Sequence, residues 1–94
     1  MAGILIGNKS PKMGEVNNRV YVFDKEKTAG ILRGLRATAR LSQKQLADLS
    51  NVSEASIKGY ENGENVMSLE AAVKLSNALG VTPADLVSQR ELTA

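Results

Sequence analysis

The sequence contains no cysteine and no histidine. Without cysteine there is no disulfide scaffold, no thiolate metal site and no cysteine nucleophile. Without histidine the commonest general base and the commonest metal ligand are gone. Aromatic residues are scarce, with two tyrosines, one phenylalanine and no tryptophan in 94 residues. No apolar run approaches the roughly 20 residues of a membrane-spanning helix. The opening Met1-Ala2-Gly3-Ile4-Leu5-Ile6 has neither the basic start nor the apolar length of a signal peptide. Catalysis would rest on carboxylates, lysines and hydroxyls in a chain too short to wall off a cleft. The expectation is a cytoplasmic, non-enzymatic protein with no metal, no cofactor, no small-molecule ligand and no membrane partner.

What remains is one domain's length of chain with ordinary soluble composition, 43% hydrophobic and 23% charged. The formal net charge is only +2, but its distribution is uneven. Residues 27–44 hold Lys27, Arg33, Arg36, Arg40 and Lys44 with no acid, whereas residues 45–94 hold three bases and seven acids. A basic stretch on a nearly neutral chain suits a one-sided footprint on an anionic partner. A solvated basic helix face accounts for it equally well.

Residues 1–26 read as an N-terminal, strand-forming extension. Val20-Tyr21-Val22-Phe23 is β-branched and aromatic, the strand signal, and Ile4-Leu5-Ile6 gives a second candidate strand over Gly3–Gly7. Turn formers lie between them: Asn8, Ser10-Pro11, Gly14 and Asn17-Asn18. From Lys25 the period becomes helical. Ile31, Leu35 and Ala39, with Leu32 beside them, predict an apolar stripe on a helix of about Lys25–Arg40. Ser42 and Gln45 form a capping box that opens a second helix, about Gln43–Ser50, with Leu46 and Leu49 expected inward. Ser53 caps a third helix of about Glu54–Asn62, which Gly63 ends. Ser68 caps a fourth, whose inner stripe is expected at Leu69, Ala72, Val73, Ser76 and Leu79, closed by Gly80. Thr82-Pro83 opens a short fifth helix through about Val87. The fold class is therefore mainly α, a five-helix domain over residues 27–88 with a short N-terminal strand or hairpin. Residues 89–94 are expected to be a tail, and nothing in residues 27–94 reads as another strand.

The link between helices two and three is the informative feature. Only Asn51 and Val52 separate Ser50 from the cap Ser53, so the helices must cross steeply. Asn51 stands where a sharp turn needs a left-handed backbone. Ala47 is small enough to admit helix three, whose inward face is Val52, Ile57 and Tyr60. Such a helix-turn-helix presents the outer face of its second helix to a DNA major groove. The stretch from Gln43 to Gly63 resembles the helix-turn-helix of the phage repressor and Cro (Xre-like) regulators. The resemblance runs from about Thr28 to Val87 and includes Leu79-Gly80-Val81-Thr82-Pro83-Ala84-Asp85-Leu86.

The resemblance implies roles for individual positions. Gln43 and Asn62 match residues that contact DNA phosphates, with Lys44, Arg40 and Ser53 near the same surface. Base reading falls to Glu54, Ala55 and Gly59, with Ser56 and Lys58 adjacent. The sequence departs from the family pattern here, because Ala55 and Gly59 carry almost no side chain. Ala55 suits contact with a thymine methyl, and Glu54 suits a cytosine amino group. Gly59 costs about 1 kcal/mol relative to alanine inside a helix, so either a close backbone approach offsets it, the preferred reading, or the site tolerates it. Met67 stands where many members have proline. Arg36 and Glu61 match an ion pair that clamps helix three.

The function so implied is a sequence-specific transcriptional regulator, a dimeric repressor that reads double-stranded DNA with helix 54–62. The alternative is an antitoxin that binds a partner toxin and autoregulates its operon, with the N-terminal strand augmenting the partner's sheet. A module that has lost DNA binding is a third reading. Val20, Tyr21, Val22 and Phe23 are expected to form a dimer or partner strand, because an unpaired apolar strand edge invites a second chain.

Overall fold

Every helix begins at a side-chain oxygen. In the computed structural model, which describes residues 19–92, Asp24, Ser42, Ser53, Ser68 and Thr82 each accept a hydrogen bond from an amide three residues on. These caps satisfy donors that a helix start leaves without partners. They open α1 (Lys25–Thr38), α2 (Gln43–Ser50), α3 (Glu54–Glu61), α4 (Leu69–Leu79) and α5 (Pro83–Leu86). The predicted box at Ser42 and Gln45 is present in both directions, and Thr82 and Asp85 form a second. Donation from the Thr82 amide and then its hydroxyl holds the Asp85 carboxyl below the ordinary aspartate range.

The helix ends follow the same local chemistry. Asn51 is left-handed, with φ 60°, as the sharp turn requires, and Gly63 and Gly80 take φ of 71° and 73°. Helix α1 stops two residues earlier than expected. Arg40 adopts φ 60° there, and the Leu41 amide returns to the Arg36 carbonyl at 3.1 Å. This is the closing bond of a glycine-type helix end, made with an arginine in the glycine position.

The core is formed by Leu32, Leu46, Val52, Ile57, Met67, Ala71, Ala72, Leu75 and Leu86, with Phe23 and Tyr60 packed at its margin. Three expected faces are rotated. On α1 the buried residues are Thr28, Ala29 and Leu32, Ile31 and Leu35 are half-buried, and Ala39 is exposed. On α2, Leu49 is 63% exposed, and Ser50 is buried instead with its hydroxyl accepting from the Val52 amide. On α4, Leu69 (79% exposed) and Val73 face outward, while Ala71, Ala72, Leu75 and Ser76 are buried. Helix α4 packs against α2 and α5, and Ala71, Ala72 and Leu75 belong to the core. Ser76 tolerates burial because its hydroxyl donates to the Ala72 carbonyl at 2.7 Å.

The expectation that nothing in residues 27–94 forms a strand is overturned. Strand β1 (Val20–Phe23) pairs antiparallel with β2 (Gln89–Leu92), in the segment expected to be a tail. Val20 lies opposite Leu92 and Phe23 opposite Gln89. The ribbon is anchored at its inner end, where the Asp24 amide donates to the Ser88 carbonyl and the Ser88 amide to the buried Thr28 hydroxyl. Pairing thus extends a polar segment that has no strand propensity of its own. The candidate strand at Gly3–Gly7 lies outside the described residues. Among the described residues, no helix is long and apolar enough to cross a membrane.

The rotated faces separate two leucines that the sequence alone treats alike. Leu75→Ala is expected to cost about 2–5 kcal/mol, the range for a buried leucine, and Leu49→Ala about 0.5 kcal/mol or less. Urea denaturation of both variants checks the assignment, and equal losses would contradict the packing described.

Candidate nucleic-acid interface

Helices α2 and α3 meet at the Asn51 turn and place two surfaces side by side. The first is the open start of α2. Its cap satisfies the Gln45 amide, while the Gln43 and Lys44 amides have no partner among the described residues. Unsatisfied donors at the positive end of a helix suit an anion such as a phosphate. The second surface is the outer face of α3, where Glu54, Ala55 and Lys58 are exposed, with Ser53 before it and Asn62 after. An open depression of about 460 Å³ joins them, lined by Lys44, Ala47, Asp48, Asn51, Val52, Ser53 and Glu54. Lys44 pairs loosely with Asp48 at 3.8 Å, both largely exposed, so this contact is worth little.

A buried carboxylate fixes α3 in this position. Glu61, 2% exposed, ends the helix and is gripped by Arg36, whose Nε donates to Oε2 at 2.7 Å and Nη2 to Oε1 at 2.9 Å. The third guanidinium nitrogen of Arg36 donates to the Leu41 carbonyl at 2.9 Å, which ties the α1–α2 loop to the same group. Gln43 Nε2 also donates to Glu61 Oε1, at 3.1 Å, and the Arg33 guanidinium donates to the Glu61 backbone carbonyl. The clamp that the resemblance implied is therefore a four-residue network, and Arg33 is a member that sequence reasoning missed. Its position one turn before Arg36 on α1 was the available signal.

Burial pushes the Glu61 pKa up. Hydrogen bonds from Arg36 and Gln43 and the charges of Arg36 and Arg33 outweigh it, so the net value lies below the ordinary glutamate range. The Arg36 guanidinium is held correspondingly above its usual value, chiefly by its hydrogen bonds to Glu61.

The expected site residues are distributed as follows. Glu54, Ala55 and Lys58 share the outer face of α3. Ser56 sits on its flank, where Ser53 Oγ donates to its hydroxyl at 2.8 Å, beside Tyr60 in the groove towards α4. Gly59 is buried, and the group that approaches it closely is the side chain of Asn65. Lys44, Asn62, Arg40 and Ser53 are exposed, whereas Gln43 already spends one donor on Glu61. Two of the five basic residues in the 27–44 stretch, Arg33 and Arg36, are thus committed within the fold.

Known proteins supply the context for this arrangement. A family model described as helix-turn-helix matches residues 32–86. The restriction-modification controller protein C.AhdI from Aeromonas hydrophila is similar at 38% identity, over 67% of this chain and 96% of that one, with a TM-score of 0.65. The clp gene regulator ClgR from Corynebacterium glutamicum is similar at 31% identity, over 66% of each chain, with a TM-score of 0.62. A transcriptional regulator of the same helix-turn-helix family from Vibrio cholerae is 27% identical over 67% of this chain and 35% of its own, with a TM-score of 0.64. No curated protein matches the sequence.

The ion pair makes a pH-dependent prediction. Glu61 ionises more readily in the folded than in the unfolded chain. Its stabilisation is therefore complete above the unfolded carboxylate pKa and is lost as the pH falls through the lower folded value. Glu61→Gln is expected to be less stable by about 2–3 kcal/mol near neutrality. The gap to wild type should narrow on acidification towards about pH 3. Denaturation midpoints across that range measure it, and identical curves for the two proteins would show the pair to be dispensable.

Proposed function

The chain belongs to the Xre-like helix-turn-helix family of DNA-binding transcriptional regulators, and on that premise we propose that it is a sequence-specific, dimeric repressor reading the major groove with α3. The observation that carries this reading is the pairing of an exposed Glu54–Ala55–Lys58 face with the open start of α2, both held by the Glu61 network. Gln43, Lys44, Arg40, Ser53 and Asn62 meet phosphates, and the outer face of α3 meets bases. Gln43 keeps one carboxamide hydrogen and its backbone amide for a phosphate while Glu61 orients it. The likeness to a restriction-modification controller supports an operon of that kind as the regulated target.

Exposed apolar side chains favour assembly. Val20, Tyr21 and Leu92 stand out from a two-stranded ribbon whose outer edges have no strand beside them among the described residues. Leu69 and Val73, one turn apart on α4, are exposed as well, and so is Val66 in the loop before it. Isolated ribbons of this size are marginal in water, and an open strand edge favours pairing with another chain. The proposed homodimer, joined through Val20–Phe23, would need to set its two α3 helices one helical turn of DNA apart. The same ribbon supports the second reading, an antitoxin whose strand augments the sheet of a partner toxin.

Selection of bound duplexes from a random pool tests the DNA reading. Gln43→Ala and Asn62→Ala are expected to weaken binding to all sequences alike. Lys58→Ala and Glu54→Ala should each change preference at one position by about 1–3 kcal/mol. Unchanged preference in both would move readout away from these side chains. For assembly, Val20→Lys combined with Tyr21→Lys is expected to halve the mass in solution. A dimer that survives both substitutions would overturn the ribbon's part in it.

A further inference from the structure

The missing side chain at position 59 has a replacement. Gly59 lies one turn after Ala55 on α3, yet it is buried while its neighbours Lys58 and Asn62 are exposed. What covers it is the Asn65 side chain. A Cβ built on Gly59 collides with the Asn65 carboxamide nitrogen and lies 3.1 Å from its Cγ and 3.7 Å from its Cβ. The chain reaches this point by turning back on itself after α3. Gly63 takes φ 71°, and the amides of Glu64 and Asn65 both point at the Gly59 carbonyl, at 2.9 and 3.4 Å. Asn65 is nonetheless exposed, and its carboxamide makes no hydrogen bond among the described residues. Two donors and an acceptor are therefore free at the C-terminal half of the recognition helix, seated in a notch that only glycine leaves open.

We infer that Asn65 supplies the base-reading side chain that position 59 lacks, and that its preferred target is adenine. The inference rests on the proposed docking of α3 in the major groove. A carboxamide presents a donor and an acceptor side by side, which match adenine N7 and its exocyclic amino group. Glycine at 59 is then a requirement of the site: its cost to the helix is offset by seating a polar group from the following loop at the groove-facing surface. The reading face thus combines a methyl from Ala55, charges from Glu54 and Lys58, and a carboxamide brought in from outside the helix.

The test compares wild type, Asn65→Ala and Gly59→Ala by selection from a random duplex pool, with thermal melting of each protein as a control. Asn65→Ala is expected to melt as wild type does and to lose roughly 5- to 150-fold of its preference at one A·T pair in each half-site. Gly59→Ala should lose preference at that same pair, because the added Cβ evicts the carboxamide. A wild type that selects a sequence while Asn65→Ala selects it identically, with or without a uniform loss of affinity, overturns the inference and leaves the DNA reading standing. A wild type that selects no sequence overturns both.

Discussion

One buried negative charge organises this domain. The Glu61 carboxylate, removed from water at the end of α3, has both oxygens filled from Arg36 and one of them also from Gln43. A carboxylate so enclosed is tolerable only while its partners stay in place. The helix that carries it is thereby fixed to α1 through Arg36, to the loop at Leu41 through the same guanidinium, and to the start of α2 through Gln43. An apolar contact at this point would permit sliding, whereas the paired nitrogens of Arg36 define a plane and an angle. The orientation of α3 is set by directional bonds at its C-terminal end, and the apolar contacts of Ile57 supply the adhesion.

The network also explains why net charge is a poor guide to the surface. A count over residues 27–44 finds five bases and no acid, but the fold spends Arg33 and Arg36 on Glu61. Of the five, Lys27, Arg40 and Lys44 remain exposed and uncommitted to Glu61. Arg40 is a case of its own, because an arginine in the left-handed region closes α1 where glycine is the usual residue. It is exposed and stands two residues before Ser42, the cap of α2.

Much of the fold was legible because it is written in short-range chemistry. The caps at Ser42, Ser53, Ser68 and Thr82, the left-handed Asn51 and the stops at Gly63 and Gly80 each depend on residues within four positions, and all stand as expected. Helix faces were less legible. Leu49, Leu69 and Val73 look inward by type, but which stripe is buried depends on where the neighbouring helices lie, and on α4 that stripe is Ala71, Ala72, Leu75 and Ser76. Strand β2 was illegible, since Gln89-Arg90-Glu91-Leu92 carries no strand signal and is extended by its partner. At the candidate site, Glu54, Ala55 and Lys58 were named by the resemblance to the phage repressor and Cro regulators, and all three are exposed on α3. Gly59 suggested a close backbone approach, but what lies against it is the side chain of Asn65, six residues later in a loop whose path the sequence does not encode locally.

The ribbon has a consequence for the order in which the molecule assembles. Its paired residues stand 66 positions apart at Phe23 and Gln89 and 72 apart at Val20 and Leu92, whereas the helices join through short connections. Closing so long a loop for four residue pairs is entropically expensive, and topology of this kind sets folding speed. The loop-closure cost favours condensation of the helices before the ribbon, whose pairing would start from its Thr28–Ser88 anchor. In the native state the same asymmetry runs backwards. The ribbon is the unit that opens by itself, with its amides exchanging with solvent at a lower free energy than those of α1 and α4.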